Sequence, residues 1–308
     1  MRHPIDPKVD CVFKALLGAE ANRALLIHFL NAILGDALSA PIRDVLIANP
    51  YNEREFSDDI LSIVDVKATD EVGQVYQIEV QLLAHRDLPA RILYGWADSY
   101  SAQLQSGERY GVLRPTYSIW LLGETLLADE PDYKHCYRMR NERGRVFVDH
   151  GGIWLLELSK FTAETVETEQ QRWLKFFKEA ETLNEAALPP WMQTPEMRQA
   201  MSTLKQFSEK ERAYHAYQAR QNYLRVQASY QADMNESVAA FERAFHEAID
   251  DYIEACVKLG QEPDKPASGK LMLRVDPPIH AAALKAAKRE GISLNKWAAK
   301  VLEEAARG

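Results

Sequence analysis

The segment ILSIVDVKATDEVGQVYQIEVQLL, residues 60–83, constrains this chain more than any other stretch. Two runs rich in β-branched and apolar residues flank Asp70-Glu71-Val72-Gly73, where Gly73 is free to take the positive φ of a tight turn. The pattern predicts a β-hairpin folding about Val72, which sets Asp65 opposite Glu79. Side chains alternate faces along a strand, so Val64, Val66 and Ala68 share one face with Tyr76, Ile78, Val80 and Leu82. Asp65, Lys67 and Thr69 share the other with Gln77, Glu79 and Gln81. That polar face has two readings. It can be an ordinary solvated surface. It can also be a site, because both flanks are apolar and two acids placed directly across strands repel unless a cation lies between them.

Composition sets the outer bounds. With 308 residues, 46% apolar and 27% charged, the chain has enough material for one large or two modest domains with ample core. Cys11, Cys136 and Cys256 are scattered without a CxxC pair, which fits a reducing compartment and excludes a disulfide scaffold or a cysteine-rich zinc site. No signal-peptide core is evident, and no apolar stretch approaches the roughly 20 residues of a membrane span. A cytoplasmic protein with no membrane partner is expected. The net charge of −8 is unevenly distributed. From Lys265 to Gly308, nine Lys/Arg stand against four Asp/Glu, which leaves −13 on the preceding 264 residues. A basic tail on an acidic body points to a polyanionic partner bound through the tail.

Along the chain, DPKVDCVFKALLG precedes EANRALLIHFLNAILG, whose Leu25, Leu26, Phe29, Leu30, Ile33 and Leu34 form a helical stripe stopped by Gly35. IRDVLIAN (42–49) reads as a strand. After the hairpin, RILYGWADSYSAQLQSG reads as a helix ending near Gly107, and TYSIWLLG (116–123) as a buried strand. The order α-β-β-β-α-β follows. YRMRNERGRVFVDH, turning at Arg143-Gly144, and GIWLLELSKF are expected to add strands. Residues from about Glu167 to Leu259 read as a helical scaffold broken at Leu188-Pro189-Pro190 and Pro195. GQEPDKPASG (260–269) reads as a linker. Beyond it, KLMLRVD alternates, Pro277-Pro278 opens a helix closed by Gly291, and Ser293 caps a second helix.

The segments DCVFKALLG, FLNAIL, VDVKATD, QIEVQ and RILYGWADSYSAQLQSGERY resemble, in order, the PD-(D/E)XK nuclease superfamily, in its recombination-promoting nuclease/putative transposase branch. The resemblance implies a restriction-endonuclease-like αβββαβ core of α/β (α+β) class that hydrolyses DNA phosphodiesters with Mg²⁺, or Mn²⁺ in its place. It makes Asp65 and Glu79 the metal-binding acids, with the Val80 carbonyl as a third ligand. Such chemistry suits Mg²⁺, which takes a few carboxylate oxygens alongside water and phosphate. The chain departs from the superfamily where a lysine is usual and Gln81 stands, although this branch commonly carries glutamine there. Glutamine orients water but brings no charge. Lys67, two residues from Asp65 on the same face, is expected to supply the cation; the alternative is that it only screens the acids. Glu20 can add a ligand or simply complement its helix dipole. His28 reads as a packing residue, and His85, His135 and His150 lack ligand spacing.

SGKLMLRVDPPIHAAALKAAKREGISLNKWAAKVLEEA resembles the ribbon-helix-helix region of HicB-type antitoxins, and FHEAIDDYIEACVKLGQEPDKP resembles the segment preceding it. One strand and two short helices cannot bury their own core, so the module implies a homodimer. Leu271, Leu273 and Val275 would face the helices, while Lys270, Met272 and Arg274 would face double-stranded DNA. Ser293, Leu294 and Asn295 would offer backbone N–H groups to a phosphate. The expected domains are a nuclease-like core at 1–160, a helical extension at 161–235 and a HicB-like region at 236–308 with its DNA-binding module at 269–306. The chain is then a metal-dependent DNA endonuclease of transposase type, targeted by the tail. The alternatives are a non-catalytic, antitoxin-like DNA-binding regulator and a protein whose two modules serve assembly.

Overall fold

The computed structural model describes residues 3–48, 65–262 and 275–307. Two compact units divide the chain, Met1–Met234 and Asn235–Gly308.

The first unit is mixed α/β. Helices α1 (Asp10–Leu17) and α2 (Arg23–Leu34) lead into β1 (Val45–Ala48), β2 (Val66–Asp70) and β3 (Val75–Gln81). The α2 stripe falls as expected, with Leu25, Leu26, Phe29, Leu30, Ile33 and Leu34 all buried and Gly35 at the C-cap. Helix α3 (Leu88–Ser101) crosses to β4 (Thr116–Leu122), followed by β5 (Lys134–Tyr137) and β6 (Gly151–Glu157). The sheet order is β1-β2-β3-β4-β6-β5. β1, β2 and β3 pair antiparallel, β3, β4 and β6 pair parallel, and β5 returns antiparallel to β6.

Both faces of the sheet are covered, as parallel strands require. On one side Val66, Ala68, Tyr76 and Ile78 join Phe13, Phe29, Trp173 and Phe177 in the main core. Helices α4 (Glu169–Glu179) and α5 (Pro195–Glu209) contribute to it, α4 opening on a capping box at Thr168 and Gln171. On the other side Leu88 and Ile92 of α3 pack with Trp120, Leu122 and Leu155. Every residue of β4 is buried, which explains its uninterrupted apolar run.

The hairpin forms with Gly73 at φ 84°. Its register pairs Val66 with Ile78 and Lys67 with Gln77, so one further step sets Asp65 across from Glu79. Two sequence expectations change. The helix after the hairpin ends at Ser101, and turns carry the chain on to Gly107. YRMRNERGRVFVDH is not a strand pair: β5 stops at Tyr137, and the turn at Gly144 (φ 76°) holds only one isolated bridge, Arg140 to Val146. Residues Met139 to Val148, other than the bridge, lack the sheet partner that would extend them.

A helix α6 (Glu211–Leu259) contains the boundary between the two units. The second unit then has α7 (Pro277–Arg289) and α8 (Leu294–Arg307), with Gly291 at φ 69° between them. Ser293 Oγ accepts from Lys296 N at 3.3 Å, the expected cap. The KLMLR part of the expected ribbon, Lys270 to Arg274, lies outside the described residues, and Val275 is exposed.

Candidate active site

The polar face of the hairpin is buried at Asp65, Gln77 and Glu79 and half-buried at Lys67, Thr69 and Gln81. Asp65 is 9% exposed, Gln77 0% and Glu79 2%, which excludes the solvated-surface reading. Glu79 lies on the α3 side of the sheet, with Trp120, its β4 partner, supplying the apolar floor beside it, and Asp65 stands in the bend just before β2. Asp65 Oδ2 accepts from the Val80 amide at 2.9 Å, which locks the carboxylate to β3.

The two acids open into a cleft of about 510 Å³ whose rim includes Lys14, Val80, Gln81, His85 and Arg91. Lys14 Nζ on α1 lies 3.4 Å from Asp65 Oδ1. Arg91 on α3 is shared: Nη1 donates to Gln81 Oε1 at 3.1 Å and Nη2 lies 3.7 Å from Glu79 Oε2. Its guanidinium also stands 5.7 Å from the centre of the Trp120 ring. Gln81 in turn donates through Nε2 to the Leu83 carbonyl at 2.8 Å. Glu79 Oε1 is buried with no hydrogen-bond partner.

The electrostatics follow from this packing. Burial, then the charge of Asp65, pushes the Glu79 carboxyl up to about 8, with Arg91 and Lys14 pulling the other way. Burial raises Asp65 as well, opposed by the Val80 amide and Lys14. An orphaned carboxylate oxygen and two acids held above their ordinary range are what a site prepared for an external cation presents. Two carboxylates with a neighbouring carbonyl fit Mg²⁺, which completes its shell with water and phosphate oxygens. No cluster of three or more His, Cys, Asp or Glu suited to a metal occurs among the described residues, so a ligand set richer in protein groups is not seen there.

Not every sequence candidate lies here. Lys67 is absent from the described lining of the cleft, and Glu20 is exposed and paired with Arg23 at 3.2 Å. His28 accepts from Trp173 Nε1 at 2.9 Å, the packing role expected of it. His85, dismissed on spacing, lines the cleft, and so do Asp10 and Arg220, paired at 2.9 Å. Only Arg91 could have been singled out beforehand, from its place in the segment RILYGWADSYSAQLQSG; nothing in spacing marks Lys14 or Asp10. Of the tail residues, Ser293 and Asn295 are exposed and Leu294 is half-buried at the start of α8, while Lys270, Met272 and Arg274 lie outside the described residues.

A family model described as PD-(D/E)XK nuclease family transposase matches residues 7–233. A second, described as HicB family, matches residues 252–302. No curated protein and no solved structure matches the chain significantly. The six-stranded mixed sheet with its flanking helices fits a restriction-endonuclease-like α+β core.

Proposed function

The chain belongs to the PD-(D/E)XK nuclease family transposases, and from that premise we propose that its first unit is a divalent-metal-dependent DNA endonuclease. Asp65, Glu79 and the Val80 carbonyl would hold Mg²⁺, or Mn²⁺ in its place. The metal would polarise the scissile phosphate and make a water molecule acidic enough to attack. The carrying observation is the orphaned Glu79 Oε1 beside Asp65 in an open cleft.

The chain's own residues supply the rest. Gln81 stands where the superfamily usually has lysine, and Arg91 is bonded to it at 3.1 Å. We assign to Arg91, with Lys14, the cationic role first given to Lys67. Their preorganised charges face the cleft where charge develops on a phosphate, and Gln81 aims the guanidinium. Trp120 adds a cation–π contact that helps hold the guanidinium in place.

The HicB-family match supports a second role, DNA binding by the tail. We propose that it pairs with a second copy through a ribbon and docks on duplex DNA through Lys270, Met272 and Arg274. The α8 N-terminus, Ser293, Leu294 and Asn295, would take a phosphate. This would concentrate the nuclease on its substrate and bring two active sites to two strands.

The test is incubation of the purified protein with supercoiled plasmid in Mg²⁺, Mn²⁺ or EDTA. Metal-dependent nicking that Asp65→Ala and Glu79→Ala each abolish is expected. Plasmid that is shifted in a gel but stays intact in every metal overturns the nuclease reading in favour of a DNA-binding regulator, for which the loss of the motif lysine at Gln81 speaks.

A further inference from the structure

The segment between β5 and β6 is exposed along residues 139–149 and takes no part in the cleft. Its turn is well made: Asn141 Oδ1 accepts from the Arg145 amide at 2.9 Å, and Asn141 N donates to the Arg145 carbonyl at 2.9 Å. Phe147 N reaches the Met139 carbonyl at 3.0 Å. This rigid finger carries side chains that folding does not use. Phe147 is 81% exposed, Met139 53% and Tyr137 49%. Arg140, Arg143 and Arg145 are exposed and make no ion pair among the described residues, whereas Arg138 is committed to Asp149 at 3.8 Å.

Between the finger and α3 runs a second groove, of about 360 Å³, walled by Trp96, Tyr100, Tyr137 and Phe147. Trp96 and Tyr100 are stacked with ring centres 5.5 Å apart, and the Tyr100 hydroxyl bonds His150 Nδ1 at 2.7 Å. Flat aromatic walls beside unpaired guanidinium groups match bases and phosphates at once. The first unit, residues 1–234, carries a net −7, whereas the finger, residues 137–150, carries +2, so this basic rim is a local reversal of charge.

We propose that the Tyr137–His150 finger is a binding site for single-stranded DNA. Bases stack on Phe147 and Tyr137, and Arg140, Arg143 and Arg145 hold the phosphates. The inference rests on the nuclease reading, since it names how that enzyme would grip a strand away from the scissile bond. Sheet geometry fits. The strand ends at Gly151 lie about 13 Å along the strands and about 10 Å across them from the level of Glu79. A few nucleotides cover that span.

The experiment uses the full chain and a fluorescein-labelled T20 oligonucleotide, whose single strand a duplex-reading tail does not recognise. Wild type should bind T20. Phe147→Ala should weaken binding roughly 5- to 150-fold, the effect of one lost stacking partner. The triple variant R140A/R143A/R145A should weaken it further and lower the slope of log K on log salt by about two. T20 carrying 5-iododeoxyuridine should cross-link within residues 137–150. The proposal is overturned if wild type does not bind T20, if both variants bind it like wild type, or if cross-links fall only elsewhere. It is equally overturned if the variants change the sedimentation coefficient and not the T20 affinity, which would make the finger an interface between copies. Asp65→Ala should keep T20 binding, so failure of the cleavage reading and failure of this one are told apart.

Discussion

Glu79 is where burial and charge conflict most openly. Its carboxyl sits at about 8 in the folded chain against 4.5 for the ordinary group. The folded state therefore holds a proton that the unfolded state releases near pH 4.5, so this group's contribution to stability falls as pH rises from 4.5 to 8. In EDTA, Glu79→Gln should melt above wild type at pH 8 by up to a few kcal/mol of stability, and the gap should close below pH 4.5. Thermal melts across that range check it; equal melting at pH 8 would show that the charge is not strained. Added Mg²⁺ should raise the melting temperature of wild type and leave Glu79→Gln unmoved. At the same scale, Arg91→Met should cost on the order of 10²–10³ in cleavage rate, and Lys67→Met far less. Single-turnover rates decide the ranking, and the reverse order would return the cationic role to Lys67. The acids themselves were legible because alternation and the turn fix their register. Lys14 was not, since the helix that brings it to the hairpin is set by tertiary packing, and Arg91 was marked only by the segment it lies in.

Among the elements, α2, β1 through β4 and α3 could be read from periodicity, because each buries a stripe or a whole strand against a neighbour. The Tyr137–His150 finger could not: its two arms meet each other through one isolated bridge and a few backbone hydrogen bonds but join no strand of the sheet. The end of β6 carries another feature that no pattern announced. Glu157 is 1% exposed and accepts from the Leu127 amide at 3.0 Å and also from the Leu126 amide, while Lys160 and His135 lie against it. Burial pushes its carboxyl up, but Lys160 and the two amides win and hold it below the usual carboxylate range. The residue pins the 124–130 loop to the sheet. Glu157→Ala leaves two amides without an acceptor and Lys160 without its counter-charge, holding only the Leu127 and Glu130 carbonyls, and should destabilise the first unit by about 3 kcal/mol, measured by urea denaturation. A loss below about 1 kcal/mol would mean that water satisfies those groups.

At the scale of the whole molecule, the described residues of the second unit leave much of their apolar surface exposed. Phe241, Phe245, Ile249 and Tyr252 form an exposed stripe on α6, and Ile279, Leu284, Val301 and Leu302 are at least 40% exposed on α7 and α8. Association with a second copy is the simplest cover for such surfaces. Sedimentation should therefore give a dimer, and deletion of residues 265–308 should weaken both the dimer and salt-sensitive binding to duplex DNA. An unchanged oligomeric state together with unchanged duplex affinity would dismiss the tail as a DNA-binding module. No helix among the described residues is long and apolar enough to cross a membrane. Composition and charge change sharply near residue 265, well after the boundary between the units at Met234, because the long helix α6 runs through that boundary without a break in its pattern.

The turn at Gly73 also controls how this protein can drift. Asp70 anchors it, with Oδ1 accepting from the Val72 and Gln74 amides at 3.0 and 2.8 Å and Oδ2 from the Tyr76 hydroxyl at 2.8 Å. Because strands have a period of two, parity governs which insertions the hairpin tolerates. One extra residue between Glu71 and Gln74, if the strands slide to absorb it, turns Glu79 into the apolar core and Ile78 into the cleft. Two extra residues restore the phase. Lineages of this chain should therefore change the turn's length in even steps or by a bulge, while substitutions accumulate at Val72, which is exposed and touches neither face.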